Sequence, residues 1–460
     1  MNIVLINPYE LGRQPFGLAE PAALLARAGH TVRCCDLSLQ RLDDCLTAET
    51  NLVAIYLAMH TATRIAVEAL PKIRRLAPRA SLCVYGLYAP MNVGLFRAHG
   101  VSASIGGEFE QPLLELAAAL QQGVAEQIVE TRLDRTAFIT PERSGLPALS
   151  RYASLVMPDG TQRVAGFAET TRGCKYLCRH CPVVPVYQGR FFVIPAQVVL
   201  ADIRQQVTAG ARHISFGDPD FLNGPTHALR IVHKMHDEFP DLTFDATIKI
   251  EHIVRYPELI HELGRCGCLF ILSAVEAVDD SILALLDKGH TRADFHTALA
   301  LARAAGVALA PTFVAFTPWT TLEHYLDLLQ QIIELDLVAA VAPVQLSIRL
   351  LIPAGSWILK IPGMERIAGP FDAAILGHPW QHPDPRMDVL QREIQDWISA
   401  AEAAGTPRHA IFRGICERAW SLGNQPLPAL NKPWDGASVP RLSENWYCCA
   451  EPTCEQLASF

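Results

Sequence analysis

The chain has 460 residues, a formal net charge of −8 and a hydrophobic half, enough for two or three domains and a large core. No basic block marks a nucleic-acid surface, and no uninterrupted apolar run reaches membrane-spanning length. The start, Met1 to Pro8, lacks the basic region of a secretory signal, so the thirteen cysteines are expected as reduced thiols of a cytoplasmic protein, suited to metal or redox chemistry.

Residues 1–125 alternate strand and helix. Strands are expected at Ile3 to Asn7, Thr31 to Cys34, Val53 to Leu57, Leu82 to Tyr85 and Ser102 to Ile105. Helices are expected at Gly17 to Ala28, stopped by Gly29, and near Thr61 to Leu76 and Glu110 to Leu120. This repetition predicts an α/β fold that opens with a doubly wound parallel sheet, with ligands at the carboxyl ends of its strands. Cys34, Cys35, Cys45 and Cys83 fall in or beside these elements and read as buried structural thiols. Residues 126–165 scatter Pro, Gly and charge and read as a linker.

From Phe167 the βα units resume. Strands are expected at Phe167 to Thr171, His213 to Phe216, Thr243 to Ala246, Leu269 to Ser273, Ala308 to Val314 and Val341 to Arg349. Helices at Ala196 to Ala209, Thr226 to Phe239, Pro257 to Cys266, Thr291 to Ala305 and Leu322 to Leu335 separate them. Residues 357–460 form a mainly helical C-terminal region, with a 3.6-period helix through Met387, Leu390, Ile394, Trp397 and Ile398, another near Ala410 to Leu422, and a Cys-rich tail.

Between the first strand and the first helix of the second block lies Arg172-Gly173-Cys174-Lys175-Tyr176-Leu177-Cys178-Arg179-His180-Cys181-Pro182. Three thiolates on one short loop can hold three irons of a [4Fe–4S] cube and leave the fourth open to a ligand. A zinc knot is the alternative, but structural zinc takes four protein ligands and no His or Cys follows closely to supply the fourth.

The spacing Cys174, Cys178, Cys181 after Arg-Gly resembles the radical S-adenosylmethionine (SAM) superfamily, and the six βα units resemble its partial (β/α)6 barrel, here residues 166–356. The resemblance implies a [4Fe–4S] cluster on these cysteines and SAM on its open iron. It further implies Gly217, Asp218 and Asp220 at the SAM amino group, Lys249 at its carboxylate, Ser273 and Glu276 near the ribose, and His180 against the adenine. The front block, with Gly86 to Pro90 and Gly106 to Glu110, looks like the cobalamin-binding, Rossmann-type domain often fused ahead of such barrels. Where that family carries Asp-x-His-x-x-Gly, this chain reads Pro8-Tyr9-Glu10-Leu11-Gly12-Arg13-Gln14. Cobalamin either binds without a protein imidazole or has been lost.

The tail Trp446-Tyr447-Cys448-Cys449-Ala450-Glu451-Pro452-Thr453-Cys454 resembles that of radical SAM proteins ending in Cys-Cys-Ala-Glu-Pro, which are linked to arsinothricin synthesis. That likeness implies transfer of the 3-amino-3-carboxypropyl arm of SAM to arsenite, with an electron donor such as flavodoxin or ferredoxin. Cys448, Cys449 and Cys454 would then clamp a thiophilic acceptor; a second metal clasp or redox pair is the plainer role. Two further readings stay open: a cobalamin-dependent radical SAM methyltransferase, and a non-catalytic metal-binding or sensor protein.

Overall fold

Six parallel strands build the front sheet: β1 (Asn2–Asn7), β2 (Thr31–Asp36), β3 (Leu52–Tyr56), β4 (Ser81–Tyr85), β5 (Ala103–Gly107) and β6 (Ile128–Arg132), in the order β2-β1-β3-β4-β5-β6. The computed structural model describes residues 1–124, 128–134, 137–428 and 439–444. β1, β3 and β4 are buried almost throughout, as strands covered on both faces must be. Helices Phe16–Arg27 and Glu110–Gln121 pack against one face. Helix His60–Leu76 covers the other. The order reverses between β1 and β3, and crevices for ligands open at such a switch point.

The second sheet runs β14-β13-β12-β11-β8-β7-β15, from β7 (Ser154–Val156), β8 (Gln162–Ala168), β11 (His213–Phe216), β12 (Thr243–Thr247), β13 (Cys268–Glu276), β14 (Ala308–Phe313) and β15 (Arg441–Leu442). Five of these, β8 and β11 to β14, are parallel and curl into the partial barrel. A short antiparallel ribbon of β9 (Thr171–Gly173) and β10 (Phe191–Val193) stands at its mouth. Helices Ala196–Thr208, Pro225–Glu238, Pro257–Arg265, Arg292–Ala304 and Leu322–Glu334 form the outer layer, and helices Pro385–Ala403 and Arg408–Leu422 pack together behind it.

Two stretches differ from expectation. Val341–Arg349 was expected as the sixth barrel strand, but Pro343 opens a 3-10 turn at Pro343–Leu346. Proline removes the ladder donor there, and the sixth position is reduced to one parallel bridge between Phe316 and Arg349. Of the expected linker, Ile128–Arg132 joins the front sheet as β6, while β7 and β8 form a hairpin in the second. β6 alternates half-buried and exposed residues, the polar pattern of a blunted edge strand.

The two sheets are joined by packing as well as by chain. One apolar cluster runs from Val4, Ile6, Val53 and Ile55 of the front sheet to Ile282, Leu286, Leu350 and Ile352. Arg143 is buried and reaches three ways, to Asp202 at 2.6 Å, Gln14 Oε1 at 2.9 Å and the Phe167 carbonyl at 2.8 Å. Residues 439–444 span the lateral opening of the curled sheet, where a cavity of about 60 Å³ lies between Pro311 and Thr312 on one edge and Arg441 and Leu442 on the other.

Candidate active site

The carboxyl ends of β1 and β3 face those of β8 and β11 to β14 across a cavity of about 290 Å³. Cys174, Cys178 and Cys181 all line it. Their loop is held from several directions. Gly173 has φ +75°, and a Cβ there would come within 2.5 Å of the Arg190 carbonyl, so this turn requires glycine. Asn223 donates to the Gly173 carbonyl at 3.1 Å and accepts from the Lys175 amide at 3.3 Å. The Arg179 amide donates to the Leu286 carbonyl at 2.9 Å, and the Cys181 amide closes a turn onto the Cys178 carbonyl at 3.1 Å.

Three thiols on one loop, all on one cavity, suit a [4Fe–4S] cube with one iron per cysteine, whereas a structural zinc takes four protein ligands. Burial pushes the Cys174 thiol up to about 12, and metal binding there releases a proton.

Two cations stand beside the thiols. Lys249 Nζ lies 3.9 Å from Cys178 Sγ and 3.4 Å above the Tyr176 ring centroid. Lys288, which the sequence reading did not single out, is 3 % exposed and lies 3.3 Å from Glu276. Burial alone would lower its pKa, but Glu276, Cys178 and Cys181 raise it above the usual lysine value. Glu276 is 3.0 Å from His180 Nε2. Burial pushes the Glu276 carboxyl upward, yet Lys288 and His180 outweigh it and hold the group down at about 2. The residue has φ +72° at a register shift between β13 and β14. A non-glycine side chain held in that region marks a position the surroundings over-determine.

The expected SAM ligands therefore divide. His180, Gly217, Lys249 and Glu276 line the cavity with the cysteines. Asp218, Asp220 and Ser273 are buried behind it. Asp218 accepts from the Thr170 and Thr171 hydroxyls at 2.6 Å each, and burial lifts its pKa to about 7. Asp220 accepts from the Lys249 amide at 3.4 Å and pairs with His252. Ser273 donates to the Ile248 carbonyl at 2.6 Å. Cys448, Cys449 and Cys454 lie outside the described residues.

Arg172, just before the cysteine loop, crosses into the front domain. It pairs with Glu20 at 2.5 Å, with Glu169 at 3.1 Å, with Glu108 at 3.6 Å and with Glu110. Its guanidinium also lies about 5 Å from the ring centroids of Phe16, Phe109 and Phe138. The front wall of the cavity comes from the carboxyl ends of β1, β3 and β4 and the loops after them, and includes Glu10, Leu11, Arg13, Tyr56, Ala58 and Met59. None of this front set was foreseen as site residues. Glu20 gave one signal: a lone carboxylate inside the apolar helix Phe16–Arg27, 1 % exposed.

Comparison with known proteins agrees with this geometry. Residues 168–332 match the radical SAM superfamily. A curated relative, the tRNA-2-methylthio-N(6)-dimethylallyladenosine synthase of Mannheimia succiniciproducens, is 26 % identical over 202 residues, 40 % of this chain and 42 % of the relative. The match thus spans less than half of that relative's length. Among solved structures, the radical SAM methyltransferase TsrM of Kitasatospora setae, with cobalamin and a [4Fe–4S] cluster bound, superposes with a TM-score of 0.58 at 18 % identity, covering 73 % of this chain and 70 % of its own. OxsB, a cobalamin-dependent radical SAM enzyme, gives a TM-score of 0.68 at 16 % identity, covering 87 % of this chain and 67 % of its own. Residues 168–332 of this chain thus carry a radical SAM domain.

Proposed function

We propose that the enzyme transfers the 3-amino-3-carboxypropyl group of SAM to trivalent arsenic. In this reading Cys174, Cys178 and Cys181 hold the cluster. A cluster held there would supply the single electron for reductive cleavage of a SAM carbon–sulfur bond. Lys249 and Lys288 balance the thiolate charge and receive the SAM carboxylate, and Glu276 and His180 take its polar ribose and amino groups. The tail cysteines present the acceptor, since soft thiolates suit a soft ion.

One observation carries the tail's part. Residues 439–444 end at Glu444, whose carboxylate accepts a hydrogen bond from the Tyr9 hydroxyl. Tyr9 precedes Glu10 and Leu11 of the cavity wall. Cys448 is four residues further on, no more than about 14 Å of extended chain. Glu444 is thus one hydrogen bond away from the residue that precedes that wall. An anaerobic reaction with reductant, SAM and arsenite, resolved by mass spectrometry, tests the reading. Methylthioadenosine with an organoarsenical supports it, whereas deoxyadenosine with no arsenic product removes it.

The apolar part of the front wall, Leu11, Ala58, Met59 and Leu87, favours a second reading, a cobalamin-dependent methyltransferase. The loop after β1 offers a corrinoid no imidazole, so the ring would rest on apolar contact. Corrinoid retained through anaerobic purification, with S-adenosylhomocysteine as product, would select this reading.

A further inference from the structure

Glu10 sits at the switch point of the front sheet, on the loop after β1, and lines the same cavity as the three cysteines. Its Oε2 is buried and has no hydrogen-bond partner among the described residues. A buried carboxylate oxygen left unpaired is costly, so its neighbourhood points to a donor from a bound molecule. The wall nearby does not supply one. Glu169, at the end of β8, is a second carboxylate on the cavity and is bonded to Arg172 at 3.1 Å. Burial first, and then Glu169, raises the Glu10 pKa, with Arg13 acting in the opposite sense. The imidazole of His180, 3 % exposed, likewise leaves Nδ1 unpartnered on this cavity.

The loop is built to keep Glu10 there. Leu11 and Gly12 both have positive φ, +51° and +65°. The Ala153 amide donates to the Gly12 carbonyl at 2.8 Å, and the Arg13 guanidinium lies 4.8 Å from the Phe167 ring centroid. Each contact ties the loop to the barrel side, so Glu10 faces the cavity from a fixed backbone.

We propose that Glu10 anchors the acceptor. Its free carboxylate oxygen accepts a hydrogen bond from a hydroxyl or ammonium group on a small uncharged or cationic molecule held across the cavity from the cysteines. This inference rests on the reading of the cavity as a SAM-dependent transfer site, and it adds the chemical class of the second substrate. A small anion of similar size, such as phosphate, is a poor ligand because it brings negative charge to Glu10 and Glu169 without enough donors.

The test uses the full-length, cluster-loaded protein with Cys448, Cys449 and Cys454 replaced by Ser, so that thiolate capture does not hide the carboxylate's part. The probe is arsenous acid, a small uncharged molecule with three hydroxyls, and phosphate is the control. Anaerobic calorimetry in the presence of SAM is compared with the same protein carrying Glu10→Ala or Glu10→Gln. The expected result is binding that weakens about tenfold in both variants, the scale of leaving a buried hydrogen-bonding group unpaired, with iron content and SAM affinity unchanged and phosphate not bound. Equal arsenous acid affinity with and without Glu10, or no arsenous acid binding while SAM still binds, overturns the assignment. Loss of SAM binding in the protein that keeps Glu10 strikes the transferase reading instead, and the two failures are told apart by the SAM titration.

Discussion

Replacing Arg172 with Met probes the join between the domains and the loop that holds the cysteines. Methionine keeps apolar contact with Phe16, Phe109 and Phe138 but removes the charge that faces Glu20, Glu108 and Glu110, whose side chains are only 1 to 3 % exposed. Taking one partner from a buried ion pair costs about 3–5 kcal/mol, a large part of the about 5–15 kcal/mol that stabilises a typical protein. The loss should depend on pH. Burial pushes Glu108 up to about 7 even with Arg172 nearby to lower it. Without the guanidinium its folded pKa rises further, while the unfolded value stays near 4.5. Folding of the variant then takes up protons. Stability is fully present below about 4.5 and is lost as pH rises through 7 and beyond. Urea unfolding at pH 6 and pH 8, with iron content measured alongside, should show the larger deficit at pH 8. A deficit under about 1 kcal/mol at pH 8, far below the cost of an unpaired buried charge, or one that does not change with pH, would refute the reasoning.

Replacing Cys174, Cys178 and Cys181 with Ala should remove the iron and sulfide and all SAM turnover; a full complement of iron in that variant would contradict the ligand set. Glu276→Gln should weaken SAM binding measured by equilibrium dialysis while leaving iron in place, because Lys288 and His180 lose their carboxylate. Since Glu276 is held at about 2, its contribution to stability is present above about 4.5 and lost as pH falls toward 2, so the variant should lack that part of the wild-type acid transition. The single variants Cys448→Ser, Cys449→Ser and Cys454→Ser should each lose product while retaining cluster and SAM. Rescue of any of them by dithiothreitol would favour a redox pair over a clamp.

What could be read in the sequence is what repeats or clusters locally. The alternation of apolar runs with amphipathic segments gave both sheets, and the cysteine loop declared itself by spacing. Val341–Arg349 misled because its apolar residues look like a strand, while Pro343 takes away the ladder donor and turns the chain. The charged contacts were not legible for another reason. Arg172 meets Glu20 across 152 positions and Glu110 across 62, and no local pattern encodes such a meeting. Lys288 follows the short helix Asp280–Leu286 at a turn with Asp287 at φ +56° and Gly289 at φ +74°. From sequence it reads as a solvated loop lysine, and only the fold turns it inward. Asp218 and Asp220 show the reverse. Their position after β11 suggested ligands, but threonine and histidine partners nearby hold both carboxylates behind the wall.

These contacts bear on what the front domain is for. An appended binding module would meet the barrel through a small polar face and could move on its linker. Here the residue two before the first cysteine of the loop inserts its guanidinium among three front-domain carboxylates. The next turn of the same loop is tied at Arg179 to Leu286 and Ile358 on the other flank. The Tyr187 hydroxyl, from the helix that follows the last cysteine, reaches Glu108 at 3.1 Å. The cysteine loop is therefore bracketed between the two sheets, so the front domain sets the position of Cys174 whether or not it binds a ligand of its own. That scaffolding role gives a reason to keep the domain even where its first loop has no imidazole. It also leaves Glu10 on that loop facing the cavity, beside the strand end from which Arg172 departs.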